Sequence, residues 1–431
     1  MILSLIFVVF TIGLSYWAFH RTRLHEASSR VALEESVAEG LHEPPSLHPI
    51  IDDSLCIGCA ACVAACPEKQ ILGIVEGKAR LIGASQCVGH GACRTACPTM
   101  AITLVFGTST RGVDIPLVSP NFETNVPGIF IAGELGGMGL IGNAFEQGRQ
   151  AIESIKGLDQ IGSHPALDTI IVGAGPAGIA ASLAAKEQGL RSVTLEQGTL
   201  GGAIFHYPRG KVVMTRPGQL PLAGKVKFTE TTKEELLEFL QKVEREHRPN
   251  IRYEERVETI EKDEGGFVVQ TNKGSYSSQS VLLAIGRRGT PRRLDVPGES
   301  RSKVVYSLID PDGYRGKRLL VVGGGDSALE AATSLADVPG TTVTLSYRSP
   351  SFSRARAANR DRVAAAEERR QLRVLLNSNV TEIAEEHVVI QRDGDSLKIP
   401  NDDVIICAGG ILPTKFLQSV GVQIETKFGE A

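Results

Sequence analysis

The stretch TIIVGAGPAG at residues 169–178 decides the expected fold, because an apolar run ends there in a glycine-rich turn and a small-residue segment follows. In a strand–turn–helix unit of this kind, the first glycine permits the tight turn, the second lets the backbone approach a diphosphate, and the third lets helix and strand pack closely. The phosphates then lie at the helix N-terminus. The turn residues are Gly173, Gly175, Pro176, Ala177 and Gly178. We interpret this stretch as an FAD-binding turn.

The next apolar run supports this interpretation because it ends in an acid. Residues 192–195 lead into Glu196, roughly 20 residues beyond the turn, and a carboxylate at this position accepts a hydrogen bond from a ribose hydroxyl. Glycine-rich turns also occur as plain packing between a strand and a helix, which is the alternative. The combination of strand, helix, second strand and terminal acid favours the cofactor.

Length and composition describe a globular protein of two or three domains. The chain has 431 residues, of which 42% are hydrophobic and 22% charged, and its formal net charge is -3. This balance has no basic excess and gives no indication of a nucleic-acid partner. Seven of the eight cysteines lie between Cys56 and Cys97. Such a local cluster indicates metal binding in a reducing compartment and not a disulfide framework.

The N-terminal residues 2–19 predict a membrane anchor. They carry no charge, and as a helix they would span about 27 Å at 1.5 Å per residue. An aromatic pair near the end of the run and two arginines soon after it place the remaining chain on the cytoplasmic side of the membrane. A cleaved signal peptide is the alternative.

Two consecutive cysteine motifs indicate iron–sulfur clusters. The first follows the spacing CxxCxxCxxxCP, in which three thiolates bind one cluster and the fourth binds its neighbour. The second motif is CVGHGACRTACP at residues 87–98, so that His90 stands where the second cysteine of the spacing would be. Zinc is the alternative metal, because CxxC pairs also build zinc sites.

This cysteine block resembles bacterial two-cluster ferredoxins over residues 51–105. The resemblance assigns to the first cluster Cys56, Cys59, Cys62 and Cys97. To the second cluster it assigns Cys66, Cys87 and Cys93, with a fourth ligand that is His90, an outside group or none. Without a fourth ligand the cluster would hold three irons, and His90 would be an ordinary loop residue. A neutral imidazole in place of a thiolate makes a cluster easier to reduce, so we expect the second cluster to have the higher potential.

A segment that closes the chain of other flavoproteins lies early in this one. Residues 128–134, GIFIAGE, resemble the strand and Gly-acid pair that follow the nicotinamide domain in flavoproteins similar to thioredoxin reductase, with Glu134 after Gly133 where those proteins usually carry Asp. We interpret 106–160 as this segment in circularly permuted order, folding back onto the FAD domain. The helix after Glu134 would direct its positive end at the flavin ring and favour the anionic reduced form. A private extension of the ferredoxin block is the alternative.

A second nucleotide-binding unit follows. A strand leads into GGGDSALEAA at residues 323–332, a second glycine turn that comprises Gly323, Gly325, Asp326, Ser327 and Ala328. The next strand ends in no acid and runs into Arg348, with Arg354 a few residues on. Because guanidinium groups bind a 2'-phosphate that an acid would repel, we expect NADPH rather than NADH. A solvated basic face is the alternative, because further arginines continue the run.

The two nucleotide folds, one inserted in the other, resemble the thioredoxin reductase group of pyridine nucleotide-disulfide oxidoreductases. Residues 201–224 and 303–332 are most similar to bacillithiol disulfide reductase-like flavoproteins, and the resemblance implies that Gly202 also contacts the cofactor. The thiols of those proteins are missing from this sequence. No CxxC precedes the second glycine turn, Ala177 takes the place of a cysteine, and Cys407 is expected to be a buried small hydrophobe. Disulfide exchange by this chain alone is therefore not expected.

The expected fold class is α/β, with two Rossmann-like nucleotide-binding domains for FAD and NADPH, a small α+β two-cluster ferredoxin domain and an N-terminal transmembrane helix. The expected boundaries are 1–20 for the anchor, 21–50 for a linker, 51–105 for the ferredoxin domain, 106–160 for the permuted segment, 165–290 for the FAD domain, 291–403 for the NADPH domain and 404–431 for the return segment of the FAD domain.

Together these features predict a membrane-anchored, NADPH-dependent FAD oxidoreductase. Electrons would pass through two [4Fe-4S] clusters, the second of which is histidine-ligated or [3Fe-4S] in the alternatives above, to a redox protein or quinone. Because the cofactors supply the chemistry, no side chain is expected to be a catalytic acid, base or nucleophile. The alternative functions are reverse flow toward NADP+, a redox sensor or tether without turnover, and reduction of a partner's disulfide. A homodimer is a possible assembly.

Overall fold

The chain divides into two units, residues 1–112 with 427–431 and residues 113–426. A computed structural model describes residues 2–38, 41–44, 47–68, 70–87, 89–137, 139–159, 161–162, 165, 167–207, 209–215, 217–228, 230–287, 290–353, 355–411 and 413–429.

The first unit consists of a long helix, two strand pairs and two short helices. Its elements are α1 (Ile2–Ala38), β1 (His48–Ile51), α2 (Ala61–Ala65), β2 (Leu72–Val75), β3 (Lys78–Leu81), α3 (Ala92–Ala96) and β4 (Ile102–Val105), with a 3-10 turn at Ala84–Gln86. β1 pairs antiparallel with β4, and β2 with β3. α2 and α3 each follow a left-handed residue, Ala60 or Gly91, and each carries a buried cysteine, Cys62 or Cys93. The repeated cysteine motif thus forms the same local structure twice.

The predicted membrane anchor is the first part of the continuous helix α1. The second half of α1 packs near the β2–β3 hairpin, where Glu26 Oε1 accepts a hydrogen bond from Gly77 N at 3.2 Å and Arg30 pairs with Glu76 at 3.7 Å. Among the described residues, none of the helices combines the length and the apolar character that a membrane crossing requires. The predictions of a transmembrane helix at 1–20 and of a location on the cytoplasmic side of a membrane are therefore wrong.

The second unit contains two main sheets with helices against them, of which the first is mixed and the second is parallel. Its elements are β5 (Val113–Pro116), β6 (Ile129–Ile131), α4 (Ile141–Lys156), β7 (Leu167–Val172), α5 (Pro176–Glu187), β8 (Ser192–Leu195), β9 (Val212–Met214), β10 (Gly218–Leu220), β11 (Gly224–Val226), β12 (Glu230–Thr232), α6 (Lys233–His247), β13 (Ile251–Arg252), β14 (Val257–Asp263), β15 (Gly266–Thr271), β16 (Ser275–Leu283), β17 (Thr290–Pro291), β18 (Val304–Val305), β19 (Arg318–Val322), α7 (Asp326–Ala336), β20 (Thr342–Ser346), α8 (Ala357–Glu368), β21 (Leu372–Leu375), β22 (Ser378–Ile383), β23 (His387–Arg392), β24 (Asp395–Pro400), β25 (Asp403–Ile406), β26 (Gly410–Ile411), α9 (Thr414–Ser419) and β27 (Ile424–Lys427).

The first sheet has the order β13-β8-β7-β16-β15-β14, and β6 also pairs with β16. β7 is buried along most of its length, as is typical of a central parallel strand that is covered on both faces. The carboxyl half of β16 pairs in parallel with β7 on one side and with β6 on the other. α4 and α5 pack closely because a Cβ at Gly148 would run into the carbonyl group of Ala177. The carboxyl ends of β6, β7 and β16 therefore meet at one edge of the sheet.

The second sheet has the order β18-β25-β19-β20-β21, and all of its strands are parallel. α7 and α8 contribute to its core, and β22, β23 and β24 form a separate antiparallel sheet. β25 belongs to this second sheet. The chain returns to the core of the first nucleotide fold only after β25, through Leu417, Val420 and Val422.

Candidate functional site

The first glycine turn connects β7 to α5 and leaves open space at the start of the helix. Gly173 has a φ of +104° and donates a hydrogen bond from its N–H to the Leu195 carbonyl at 2.7 Å. A Cβ at Gly178 would run into the carbonyl group of Gly173, so only glycine allows this packing. An ideal Cβ at Gly175 meets no atom within 4 Å. A diphosphate could approach the backbone in this space, at the N-terminus of α5.

Glu196 follows β8 and is held beside the turn by the backbone. It is only 6% exposed, and its carboxylate accepts hydrogen bonds from Ala174 N at 2.7 Å and Gly198 N at 2.8 Å. A carboxylate has about four acceptor sites, so both oxygens can still accept a ribose hydroxyl. Gly202 borders the same space, because its ideal Cβ lies 3.2 Å from the Cα atom of Gly175. The donor and acceptor set of this turn fits FAD.

The Gly133–Glu134 pair lies at the carboxyl end of β6. The N–H of Gly133 donates to Oε1 of the buried Gln147 on α4 at 2.8 Å. An ideal Cβ at Gly133 would lie 2.9 Å from the Cβ of Ala177, which is in the first turn of α5. Glu134 is exposed at the start of the 3-10 turn Glu134–Gly136. The pair therefore adjoins the first glycine turn, and sequence reasoning had not identified Gln147 as the residue that holds it.

The second glycine turn connects β19 to α7 and has the same design. Gly323 has a φ of +144°, and its ideal Cβ lies 3.0 Å from the Cβ of the buried Ala328. An ideal Cβ at Gly325 meets no atom within 4 Å, so a diphosphate could also approach here. Ser327 is half-buried in the first turn of α7. This turn fits a second nucleotide.

Asp326, the first residue of α7, is bound by the first turn of α8 and by the residue that precedes this helix. Its Oδ1 accepts hydrogen bonds from Arg356 N and Asn359 Nδ2, both at 2.8 Å. Arg348 is exposed two residues after the end of β20, whereas Arg354 lies outside the described residues. Of the two arginines predicted to bind a 2'-phosphate, the structure therefore places only Arg348.

An aromatic residue that sequence reasoning did not select covers part of the second turn. The ring of Tyr347 lies where a Cβ of Gly324 would be, and it stacks on Phe352 with ring centroids 5.7 Å apart. The signal was present in the sequence, because Tyr347 directly precedes Arg348 at the end of an apolar strand.

The predicted cluster ligands line two cavities in the first unit, with one predicted set of ligands in each. The lining of the first cavity includes Cys56, Cys59, Cys62 and Cys97. The lining of the second cavity includes Cys66, Cys87, Cys93, His90 and Glu68. Backbone N–H groups donate to two sulfur atoms, from Ala79 to Cys56 at 3.4 Å and from Ala101 to Cys97 at 3.3 Å. Such hydrogen bonds are typical of cluster ligands.

Most of the cysteine thiols in these cavities are at least partly buried, and burial disfavours the thiolate form that binds a metal. Burial raises the pKa of four of them, Cys87 to about 11 and also Cys62, Cys66 and Cys93. Burial also acts on Cys97, but hydrogen bonds with Thr99 and with backbone N–H groups outweigh it and lower the pKa of Cys97. Because metals bind thiolates, a bound cluster would supply the positive charge that ionises these groups.

Within the described part of the chain, no three His, Cys, Asp or Glu side chains converge on one point as ligands of a single metal ion. The thiolates of a four-iron cluster each bind a different iron atom and surround a larger space. Four cysteines line the first cavity, and three cysteines with His90 line the second, so the residue types and their grouping fit one cluster at each place.

Comparisons with known proteins agree with these two parts. Residues 170–429 match the family described as pyridine nucleotide-disulphide oxidoreductase, and residues 48–98 match the 4Fe-4S dicluster domain. A ferredoxin–NADP reductase of Ignicoccus hospitalis is 30% identical over 268 residues, which are 60% of this chain and 83% of that protein. Bacilliredoxin reductase Bdr of Bacillus subtilis is 27% identical over 60% of this chain and 82% of its own.

Solved structures give the same result. The bacillithiol disulfide reductase Bdr (YpdA) of Staphylococcus aureus superimposes with a TM-score of 0.55 at 27% identity, over 60% of this chain and 81% of that chain. The predicted resemblance to thioredoxin reductase-like flavoproteins joined to a two-cluster ferredoxin domain is confirmed. The chain therefore belongs to the pyridine nucleotide-disulphide oxidoreductases, as an NAD(P)H-dependent flavin oxidoreductase that also carries a 4Fe-4S dicluster domain.

Proposed function

We propose that this protein transfers electrons between NADPH and a separate redox partner, with FAD and two iron–sulfur clusters bound in the same chain. The observation that carries the proposal is the distribution of the cysteines. Seven of them line the two cavities of the first unit, whereas Ala177 stands in the FAD turn where a disulfide reductase of this type would carry a thiol. Cys407 is half-buried against the core of the second nucleotide fold. The partner would be a redox protein or a quinone.

We assign the nucleotide-binding residues from the two turns. FAD would be bound by Gly173, Gly175, Pro176, Ala177, Gly178, Glu196, Gly202, Gly133 and Glu134. NADPH would be bound by Gly323, Gly325, Asp326, Ser327, Ala328, Arg348 and Arg354. When bound, FAD accepts a hydride from the nicotinamide and releases electrons singly, and each cluster carries one electron. The chain itself supplies the helix N-termini that bind phosphate and the carboxylate that binds ribose.

We also propose that residues 106–160 are the terminal segment of the FAD fold in circularly permuted order. Three contacts support this order. β6 pairs with β16 in parallel register, Val281 opposite Ile129. The N–H of Leu117 donates to the Gln423 carbonyl at 2.8 Å, and the side chain of Asn125 donates to the Gly421 carbonyl at 2.9 Å. In an unpermuted relative, the segment after residue 421 would continue directly into this strand.

The cluster ligands are proposed from the two cavity linings, with His90 as the fourth ligand of the second cluster. His90 lines the same cavity as Cys66, Cys87 and Cys93. His90→Cys replaces a neutral ligand by an anionic one and should lower the midpoint potential of the second cluster. His90→Ala should convert it to a three-iron cluster with the EPR signal of that form. Unchanged spectra and midpoints in both variants would remove His90 from the ligand set.

A second candidate function is electron flow from a reduced partner to NADP+. It is favoured by the relatives of Ignicoccus hospitalis and Thermus thermophilus, each 30% identical and named ferredoxin–NADP reductase. The binding residues would be the same in both directions. Steady-state rates measured in both directions with one reduced and oxidised ferredoxin would decide between them.

The proposed function is tested by anaerobic titration of the reconstituted protein with NADPH, followed by visible absorption and EPR. We expect the flavin absorption to bleach and both clusters to become reducible through the chain, with oxidation of NADPH by ferricyanide in steady state. Clusters that stay oxidised after the flavin has bleached would contradict the proposal. Protein that loads both cofactors but turns over with no acceptor would favour a redox sensor.

A further inference from the structure

Arg287 follows the end of β16, at the edge of the first sheet where the proposed FAD-binding residues meet. β16 ends at Leu283, which pairs with Val172 of β7 on one side and with Ile131 of β6 on the other. Gly286 follows with a φ of +66°, and Arg287 comes next. In parallel α/β sheets, ligands bind beyond the carboxyl ends of the strands. Arg287 thus lies in the part of the fold where the cofactor is expected.

The guanidinium group of Arg287 lacks a close counter-ion within the protein. It is half-buried, and its Nη2 donates a hydrogen bond to the carbonyl oxygen of Asp114 at 3.0 Å. Among the described residues, no carboxylate oxygen lies within 4.0 Å of it. The carboxylate of Asp114 instead accepts a hydrogen bond from Thr426 Oγ1 at 2.7 Å. A cation withdrawn from water without a close partner is unfavourable unless a ligand supplies the anion.

The charges near this edge of the sheet also favour an anionic ligand beside Arg287. Burial lowers the pKa of Arg287, and the more distant carboxylates of Glu134 and Asp114 offset only part of that effect. Arginine nevertheless stays protonated at neutral pH. The carboxylates that act on Arg287 are those of Glu134 and Asp114, and FAD is itself an anion. A fixed cation at this place would therefore favour the bound cofactor, and favour it more after reduction adds negative charge to the flavin.

We propose that Arg287 is a positioning residue of the FAD site, whose charge strengthens FAD binding and makes reduction of the flavin more favourable. This inference rests on the proposed function and adds to it the residue that sets the flavin's affinity for electrons. Glu134, which was predicted to contact the cofactor, follows the end of β6 and so lies at the same edge of the sheet as Arg287. The second glycine turn belongs to a different sheet. The ligand that the charge of Arg287 would stabilise is therefore FAD and not NADPH.

The test compares Arg287→Gln and Arg287→Lys with Arg293→Gln, a control that removes an exposed arginine from the same connection. The midpoint of the bound flavin is measured by redox titration, with cluster reduction followed by EPR in the same samples. For Arg287→Gln we expect the equilibrium constant of flavin reduction to fall at least tenfold, which is about 30 mV for a two-electron couple. Arg287→Lys should retain the value within threefold, because it keeps the charge. An equilibrium constant of flavin reduction in Arg287→Gln that stays within twofold of the wild-type value would overturn the proposal.

Thermal unfolding separates a ligand-binding role from a structural one. Without FAD, Arg287→Gln should melt no earlier than Arg293→Gln, because an unpaired cation has been removed. The increase in Tm on adding FAD should be smaller for Arg287→Gln than for the wild type, because the ligand binds less tightly. An earlier melt without FAD together with an unchanged increase would show that Arg287 only supports the fold. Wild-type protein that binds no FAD would instead refute the proposed function itself.

Discussion

The two glycine turns of the second unit have the same backbone design but differ in the side chain that follows the neighbouring strand. In each turn, the N–H of the first glycine donates to the last residue of the neighbouring strand, Leu195 at 2.7 Å or Ser346 at 2.9 Å. The residues that come next are therefore equivalent, and they are Glu196 and Tyr347. Glu196 offers carboxylate oxygens that backbone N–H groups hold in place, whereas Tyr347 covers Gly324 with its ring.

This difference would allow one fold to bind two different nucleotides. A carboxylate at the strand end accepts hydrogen bonds from ribose hydroxyls and repels a 2'-phosphate. The phenol of Tyr347 brings no carboxylate to this place, so we expect the exposed Arg348 to bind that phosphate. We therefore expect the glycines to determine that a dinucleotide binds and the first residue after the strand to determine which one.

Gly178→Ala should have the largest effect, because it breaks the first turn. The added Cβ would run into the carbonyl group of Gly173, which is backbone and cannot move freely. We expect a loss of about 3 kcal/mol in the stability of this fold and no FAD binding. Thermal unfolding and the absorption of bound flavin measure both. Gly274→Ala is the control, because its Cβ meets no atom within 4 Å in an exposed turn. Normal flavin content in Gly178→Ala would contradict the close packing.

Gly175→Ala and Gly325→Ala should separate the two nucleotide sites. Both residues have a φ that alanine adopts, -73° and -98°, and neither Cβ would meet an atom within 4 Å. Both variants should therefore fold normally while the methyl group fills the space of a diphosphate. We expect about thirtyfold weaker binding of FAD in the first variant and of NADPH in the second, about 2 kcal/mol each. Calorimetry measures both ligands, and loss of both in either variant would disprove separate sites.

Tyr347→Glu tests the comparison directly, because it places after β20 the same residue type that Glu196 provides after β8. A carboxylate at this position would bind the ribose hydroxyls of NADH and repel the 2'-phosphate of NADPH. We expect the ratio of kcat/KM for NADPH over NADH to fall about tenfold, or about 1.4 kcal/mol. Tyr347→Phe keeps the ring over Gly324 and should leave the ratio unchanged. An unaltered ratio in Tyr347→Glu would show that the strand end does not select the nucleotide.

The smallest effect is expected at the ion pair that joins the two nucleotide folds. Lys211 Nζ lies 2.7 Å from Glu330 Oε2 on α7, and both side chains are about four-fifths buried, at 19% and 21% exposure. Lys211→Met or Glu330→Gln should loosen the contact by about 1 kcal/mol, with about fivefold faster hydrogen exchange in α7. The double variant should add little to either single one. Strictly additive effects would mean that the two residues do not interact.

The sequence was sufficient where a structure depends on residues close together in the chain. Both glycine turns and the acid of Glu196 belong to short segments, so their pattern predicted the strand–turn–helix units. The ring of Tyr347 over Gly324, the bond from Asn359 to Asp326 and the position of Arg287 depend on residues brought together by tertiary packing. Such contacts leave no periodic signal in the sequence. Local hydropathy predicted a membrane anchor at residues 2–19, but the hydropathy of a short window does not show where a helix ends.

The position of β6 and α4 restricts how this gene can be divided. Phe130 of β6 and Ile152 and Ile155 of α4 are fully buried in one core with residues of β7, α5 and β16. A gene fragment starting after residue 160 would encode glycine turns without these partners and would leave an apolar groove open to water. A fragment that keeps the core of the flavin half must therefore begin before β6, which lies upstream of its own nucleotide motif in the sequence.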